Sequence, residues 1–231
     1  MGQGHGWQGT VLKLLRARDF TFTVTGAEDV TATYRRVHLT DGGMLAATGV
    51  HPTMWVRLWF EHAGKPHQRA YTLVDPDPEA GTFRLEFALH EGVASDWARS
   101  AAPGATVEAT VHGTGFERPA PEPSRLIAIG DPASLPAINS LLAAFPTTPT
   151  TLFFEGSLTN LPLASRPDVH EIPRGALLDR LRTDLPPLLD PDTYIWIACD
   201  TTTTRALSAY VRKELSFPKH RVHALGYWQA K

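Results

Sequence analysis

A single cysteine, Cys199, stands in 231 residues. No disulfide can form within the chain, which excludes the stapled frameworks of small secreted domains. No apolar run approaches the roughly 18 to 20 residues of a membrane-spanning helix, so no membrane insertion is expected. The first residues, Met1-Gly-Gln-Gly-His-Gly-Trp7, hold no charged region followed by an apolar stretch, and no secretory signal is read there. Position 6 is glycine where an N-myristoylation site wants serine or threonine. Net charge is also scarce: 22 basic residues against 24 acidic give −2. With the arginines scattered, no field for nucleic acid remains. These absences predict a cytoplasmic protein, a monomer or weak dimer.

Several chemical signatures are missing too. No Gly-x-Gly-x-x-Gly follows a predicted strand as a conventional dinucleotide fold requires, and there is no Gly-x-Ser-x-Gly elbow. The ten histidines show no His-x-x-x-His, and His62 and His67 flank a loop at Gly64. With one cysteine, this argues against a metal site. No side chain stands out for acid–base catalysis.

What is present has two textures. Up to about Phe116 the chain alternates apolar and polar residues in short segments. Phe20, Phe22 and Val24 do so, as do Met54, Val56, Leu58 and Phe60, then Phe83, Leu85 and Phe87, then Val107, Ala109 and Val111. Turn signals separate them at Asp41-Gly-Gly43, Gly64-Lys-Pro66, Asp75-Pro-Asp-Pro78 and Pro103-Gly104, and Gly113-Thr-Gly115 reads as a further turn. Period-2 strands between such turns predict an antiparallel β-barrel. A short helix is expected from Ser95, as its N-cap, to Ala102.

After the stiff linker Glu117-Arg-Pro-Ala-Pro-Glu-Pro123, apolar strands alternate with helical patterns. Strands are read at residues 125–129, 150–154, 168–172, 194–198 and 221–227, and helices at 132–145, 175–182 and 201–215. This is a small parallel α/β sheet. The expected organisation is a barrel domain over residues 1–118 and an α/β nucleotide-binding domain over 119–231.

The tetrapeptide Arg69-Ala70-Tyr71-Thr72 offers a cation, an aromatic face and a hydroxyl from one strand. Arg69 and Tyr71 share a face and Thr72 points to the other. A flavin dinucleotide could use all three: its diphosphate meets the arginine, its ring the tyrosine and its polar atoms the hydroxyl. The same four residues would also suit any half-buried strand. His90 could donate to a phosphate or ribose, or be a satisfied histidine. Ala94 and Ser95 open a helix whose N–H groups could hold a diphosphate, or simply cap it. In the second half, ligands of parallel sheets sit beyond the carboxyl ends of strands. Gly130-Asp131, Glu155-Gly156 and Cys199-Asp200 lie there. Gly130 could admit a ligand closely, or mark an ordinary strand–turn–helix junction.

These pieces, in this order, resemble the siderophore-interacting protein family, the flavin-dependent ferric-siderophore reductases. The resemblance rests on Tyr34-Arg-Arg-Val37, His51-x-x-x-x-Val-Arg-Leu58, Arg69-Ala-Tyr-Thr72, Phe87-Ala-Leu-His90, Ala94-Ser-Asp-Trp-Ala98, Gly130-Asp131, Leu135-Pro-Ala-Ile138, Trp196-Ile-Ala198 and Gly226-Tyr-Trp228. It implies a barrel that binds FAD and an α/β domain that binds NADPH or NADH. It also implies an enzyme that passes electrons through FAD to ferric iron in a siderophore. By this resemblance Arg69, Ala70, Tyr71, Thr72, Phe87, Ala88, Leu89, His90, Val93, Ala94 and Ser95 line FAD. Gly130, Asp131, Ser134, Leu135 and Asp200 border the nicotinamide nucleotide, and Tyr227 and Trp228 cover the flavin region. The chain departs from the family pattern at Leu73-Val74, at Gly92-Val93, at Pro132-Ala133, at Ala198-Cys-Asp200 and at Gln229. The departures keep two alternatives open: a flavin- or siderophore-binding protein without reductase activity, and a flavin electron-transfer module with another acceptor.

Overall fold

The structure, a computed structural model, describes residues 18–111, 115–164 and 167–229. The N-terminal stretch read above, and Gly113 and Thr114 of the glycine turn, lie outside them. The chain divides at Phe116/Glu117 into two compact units.

The first unit holds β1 (Arg18–Thr31), β2 (Tyr34–Thr40), α1 (Met44–Thr48), β3 (Trp55–His62), β4 (Lys65–Thr72), β5 (Val74–Asp77), β6 (Thr82–Ala88), α2 (Val93–Ser100) and β7 (Thr106–Val111). The strands form one antiparallel sheet in the order β4-β3-β7-β1-β2-β6-β5. β4 stands at one end of that order and β6 next to the other end. Yet the rings of Tyr71 on β4 and Phe87 on β6 lie 4.3 Å apart. The sheet therefore curls round on itself, and the alternating apolar face becomes the interior. Val56, Leu58, Leu39, Val37, Leu85 and Phe22 are completely buried there. Phe22 meets Phe83 edge to face at 4.9 Å, a geometry worth about 0.5–1.5 kcal/mol beyond burial. On β2 and β6 the buried Glu86 carboxylate is held by Arg36 Nη2 at 2.6 Å and by the Tyr34 hydroxyl at 2.8 Å, which answers the cost of burying its charge.

One turn reading holds with an addition, and one needs correction. Asp41-Gly-Gly43 does turn the chain, but it also starts α1. Asp41 accepts from Gly43 N at 2.9 Å and Leu45 N at 2.7 Å. Asp75-Pro-Asp-Pro78 is largely an edge strand, β5, pairing Val74 with Arg84 and Asp77 with Thr82. An edge tolerates Pro76, whose missing N–H faces no partner strand.

The second unit holds β8 (Arg125–Gly130), α3 (Leu135–Ala144), β9 (Thr150–Glu155), β10 (Asp168–Ile172), α4 (Leu177–Asp184), β11 (Thr193–Ala198), α5 (Thr201–Ala209), a π-helical turn (Tyr210–Glu214) and β12 (Val222–Ala224). All its strand pairs are parallel, in the order β10-β9-β8-β11-β12. β8 and β11 are buried on both faces, which is why they read as unbroken apolar runs. An antiparallel barrel with a parallel α/β sheet after it is the expected fold class. The last helix is shorter than its pattern predicts because it widens into the π-turn. β12 is shorter than residues 221–227, although the chain beyond it still bonds to β11 through Leu225 N to Ile197 O at 3.0 Å.

Candidate functional site

In the barrel, strand alternation fixes the tetrapeptide. Arg69 is exposed, and its only described hydrogen bond runs from Nη1 to Gln68 O at 2.7 Å. Ala70 is exposed on the opposite face. Tyr71 is half-buried with one side against Phe87, and burial pushes its phenol up despite the nearby positive charge of Arg69. Thr72 is buried, and its Oγ1 has no hydrogen-bond partner among the described residues. A buried hydroxyl left unpaired costs about 1–3 kcal/mol.

The end of β6 supplies the next group. Phe87 is core; Ala88 and Leu89 are half-buried, and Leu89 N is tied to Thr33 O at 2.8 Å. His90 exposes its ring, with Nδ1 donating to Glu91 O at 2.7 Å. Its backbone N–H donates to Ser95 Oγ at 3.1 Å. Ser95 is therefore not the N-cap of α2. Gly92 is, at φ 144, a conformation open to glycine and strained for other residues. The first helical bond runs from Asp96 N to Gly92 O at 3.0 Å. The N–H groups of Val93, Ala94 and Ser95 precede it and have no helical partner.

In the second unit the groups gather at the carboxyl ends of the strands. Asp131 is buried. Its Oδ1 accepts from Ala133 N at 2.9 Å and Ser134 N at 3.2 Å, and its Oδ2 from Trp228 Nε1 at 2.7 Å. Burial pushes its pKa up to about 6, against the pull of the Trp228, Ser134 and Ala133 hydrogen bonds and with help from the charge of Glu155. Asp200 caps α5 by accepting from Thr202 N and Thr203 N. Its burial would raise the pKa, but bonds from Thr203 and Thr202 and the charge of Arg174 hold it below the usual value. The Trp228 carbonyl accepts from Thr201 N at 2.8 Å, and the Arg174 guanidinium lies 5.4 Å over the Trp228 ring. Tyr227 rests edge-on against Trp196, 5.9 Å between centroids.

Three expected residues point inward instead. A Cβ on Gly130 would meet Ser134 Oγ at 2.4 Å and Ile138 Cδ1 at 2.6 Å. The space beside this glycine is filled by α3 itself. Ser134 is fully buried, its hydroxyl closing the turn on Asp131, and Leu135 is core. Only backbone at Ser134 and Leu135 is left to face a ligand. Arg174 was not anticipated, yet Pro173-Arg174-Gly175 follows β10 at a strand end as Gly130-Asp131 follows β8. Gly175 N donates to Glu155 Oε1 at 2.8 Å. Cys199 is buried, and burial together with Asp131, Glu155 and Asp200 pushes its thiol well up, away from nucleophilic use. Among the described residues no group of three or more His, Cys, Asp or Glu could hold a metal ion, and no helix is long and apolar enough to cross a membrane.

Residues 123–231 match the model of the siderophore-interacting proteins, and residues 52–112 that of the siderophore-interacting FAD-binding domain. The chain belongs to the siderophore-interacting protein family. FAD is the cofactor of its first domain, and the described residues there fit it: among them Thr72 has a buried hydroxyl with no partner, Arg69 is a cation without a carboxylate partner, and three N–H groups opening α2 have no helical partner. The chain is 35% identical to the mycobactin import ATP-binding/permease protein IrtA of Mycolicibacterium thermoresistibile, over 96% of this chain but 26% of that protein. It thus spans about a quarter of the curated relatives it matches. Its fold is that of the siderophore-interacting protein of Acinetobacter baumannii, with TM-score 0.80, 18% identity and 92% and 90% of the two chains covered. It is also that of a ferredoxin NADP+ reductase from Neisseria gonorrhoeae solved with bound FAD and NADP, with TM-score 0.70, 15% identity and 91% and 99% covered.

Proposed function

We propose that this protein is an NAD(P)H-dependent ferric-siderophore reductase, with a flavin domain over residues 1–118 and a nicotinamide nucleotide domain over 119–231. The observation that carries the reading is the unpartnered, buried Thr72 hydroxyl one residue from Tyr71 and three from the unpaired Arg69. FAD, when bound, accepts a hydride and gives up electrons singly. The chain's own work is binding and orientation. Arg69 neutralises the diphosphate, and the N–H groups of Val93, Ala94 and Ser95 add donors to it. Tyr71, backed by Phe87, offers a ring face, and Thr72 a hydroxyl for the polar edge. The strand ends at Asp131 and Asp200, with Arg174 as the cation among them, border the nucleotide.

Each hydride supplies two electrons, so two Fe(III) complexes become Fe(II) for every nucleotide oxidised. Hard oxygen ligands hold Fe(II) less well, and the iron is released. The name of the curated relative supports ferric mycobactin as the siderophore.

The test is anaerobic addition of NADH or NADPH to the flavin-loaded protein, followed by ferric mycobactin with a colorimetric Fe(II) chelator. Loss of flavin colour with a nucleotide, its return with the ferric complex, and Fe(II) capture are expected. If neither nucleotide bleaches the flavin, the donor assignment fails. If the chemically reduced protein keeps its electrons when ferric mycobactin is added, the acceptor assignment fails. The inward side chains of Ser134 and Leu135, and Trp228 held on Asp131, favour as second reading a protein that takes electrons from a donor other than a nucleotide.

A further inference from the structure

The parallel sheet ends in an open edge. Among the described residues β12 pairs only with β11. Beyond it Leu225 N donates to Ile197 O at 3.0 Å and Tyr227 N to Cys199 O at 2.8 Å. The alternation of an extended chain turns the backbone groups of Ala224 and Gly226 the other way. Those groups border a cleft of about 500 Å3 whose far wall is α5 and its π-turn.

That wall carries Arg205, Arg212 and Lys213, and the lining contains no carboxylate. Arg205 and Lys213 are exposed and have no hydrogen-bond or ion-pair partner among the described residues. Arg212 already reaches the edge: its Nη2 donates to Val222 O at 2.9 Å, while its Nε is buried without a partner among the described residues. The nearby Glu214 turns to Arg182, 3.9 Å away. Leu225, 42% exposed, stands at the same edge.

We propose that this edge takes an acidic peptide segment in extended conformation, which adds as a strand beside β12 and sets its carboxylates against Arg205, Arg212 and Lys213. Three cations without a counter-charge select a polyanion. The outward backbone of Ala224 and Gly226 selects a partner with main-chain donors and acceptors of its own. A small phosphate-like anion would use the cations and leave the edge and Leu225 bare. An extended peptide uses all three, and its alternate side chains divide between the cationic wall and Leu225. The site is independent of the flavin chemistry.

The probe is a fluorescein-labelled decapeptide of alternating glutamate and valine, followed by anisotropy on the full chain at low salt. Saturable binding is expected, with none for the lysine–valine counterpart. Arg205→Glu with Lys213→Glu, both at exposed positions, should weaken it by about tenfold or more. Amide hydrogen exchange supplies the second readout: the N–H groups of Ala224 and Gly226 should slow when the glutamate peptide is bound. Absence of saturable binding overturns the proposal. So does binding that leaves those two amides unprotected, or that pyrophosphate reproduces with the same sensitivity to charge reversal, since either would make this a small-anion site.

Discussion

Trp228 Nε1 donates to Asp131 Oδ2 at 2.7 Å, joining the end of the described chain to the first strand of the parallel sheet. The indole meets a carboxylate already occupied on its other oxygen by two backbone N–H groups. With the bonds from Thr201 N to Trp228 O and from Tyr227 N to Cys199 O, this contact holds the C-terminal segment over the strand ends, and it opposes the upward push of burial on the acid beneath it.

Asp131 should leave a mark on stability against pH. Burial raises its pKa to about 6 in the folded chain, from an ordinary value of 3.8. Between those values the folded chain keeps a proton that the unfolded chain has lost. Its contribution is therefore present at about pH 4 and declines as pH rises through about 6, by up to about 3 kcal/mol. Urea unfolding of the native protein and Asp131→Asn at several pH values checks this. The native protein should show the extra decline with rising pH and the variant should not; parallel profiles would refute it. Trp228→Phe removes a bond that favours the carboxylate and should move the inflection to higher pH.

Thr72→Val should separate folding from cofactor binding. The hydroxyl is buried without a partner, so its removal should leave the flavin-free protein as stable as before, or more stable by about 1 kcal/mol. FAD affinity should fall by about five- to tenfold. Thermal unfolding without flavin and a flavin fluorescence titration read the two effects. A variant that binds FAD as well as the native protein would remove Thr72 from the site.

Arg69→Gln should weaken FAD by about tenfold or more and flatten the salt dependence of binding, because a charge-assisted contact to a diphosphate is lost. Circular dichroism should be unchanged, since among the described residues the native guanidinium bonds only to the carbonyl of Gln68.

Gly130→Ala should destabilise the second unit by about 1–3 kcal/mol, as overpacked cores do. The new methyl would press on Ser134 Oγ and Ile138 Cδ1. Denaturant unfolding measures the loss. An unperturbed midpoint would mean that α3 can shift aside freely.

The legible parts of this protein are those encoded over a few residues. The β3, β6 and β7 patterns give strands because period-2 alternation needs no knowledge of the partner. The same alternation assigns Arg69 and Tyr71 to one face and Thr72 to the other. Unbroken apolar runs at β8 and β11 announce strands buried on both faces. What escaped depends on distant partners. Asp131 and Trp228 are 97 residues apart, and no local pattern joins them. Gly130 looks the same whether it admits a ligand or a helix; only the placement of Ser134 and Ile138 decides for the helix. The capping of α2 by Gly92 was hidden because a serine three residues later carries the usual cap chemistry, yet spends it on His90 N.

Cys199 is the only cysteine in the chain, and its burial, with the acids around it, pushes its thiol well up. The native protein is thereby a ready host for single-site labelling. A cysteine placed at an exposed residue such as Val50, 43% accessible, should react with a maleimide dye at neutral pH while Cys199 stays silent. A spectroscopic ruler can then be attached to either unit without first engineering a thiol-free background.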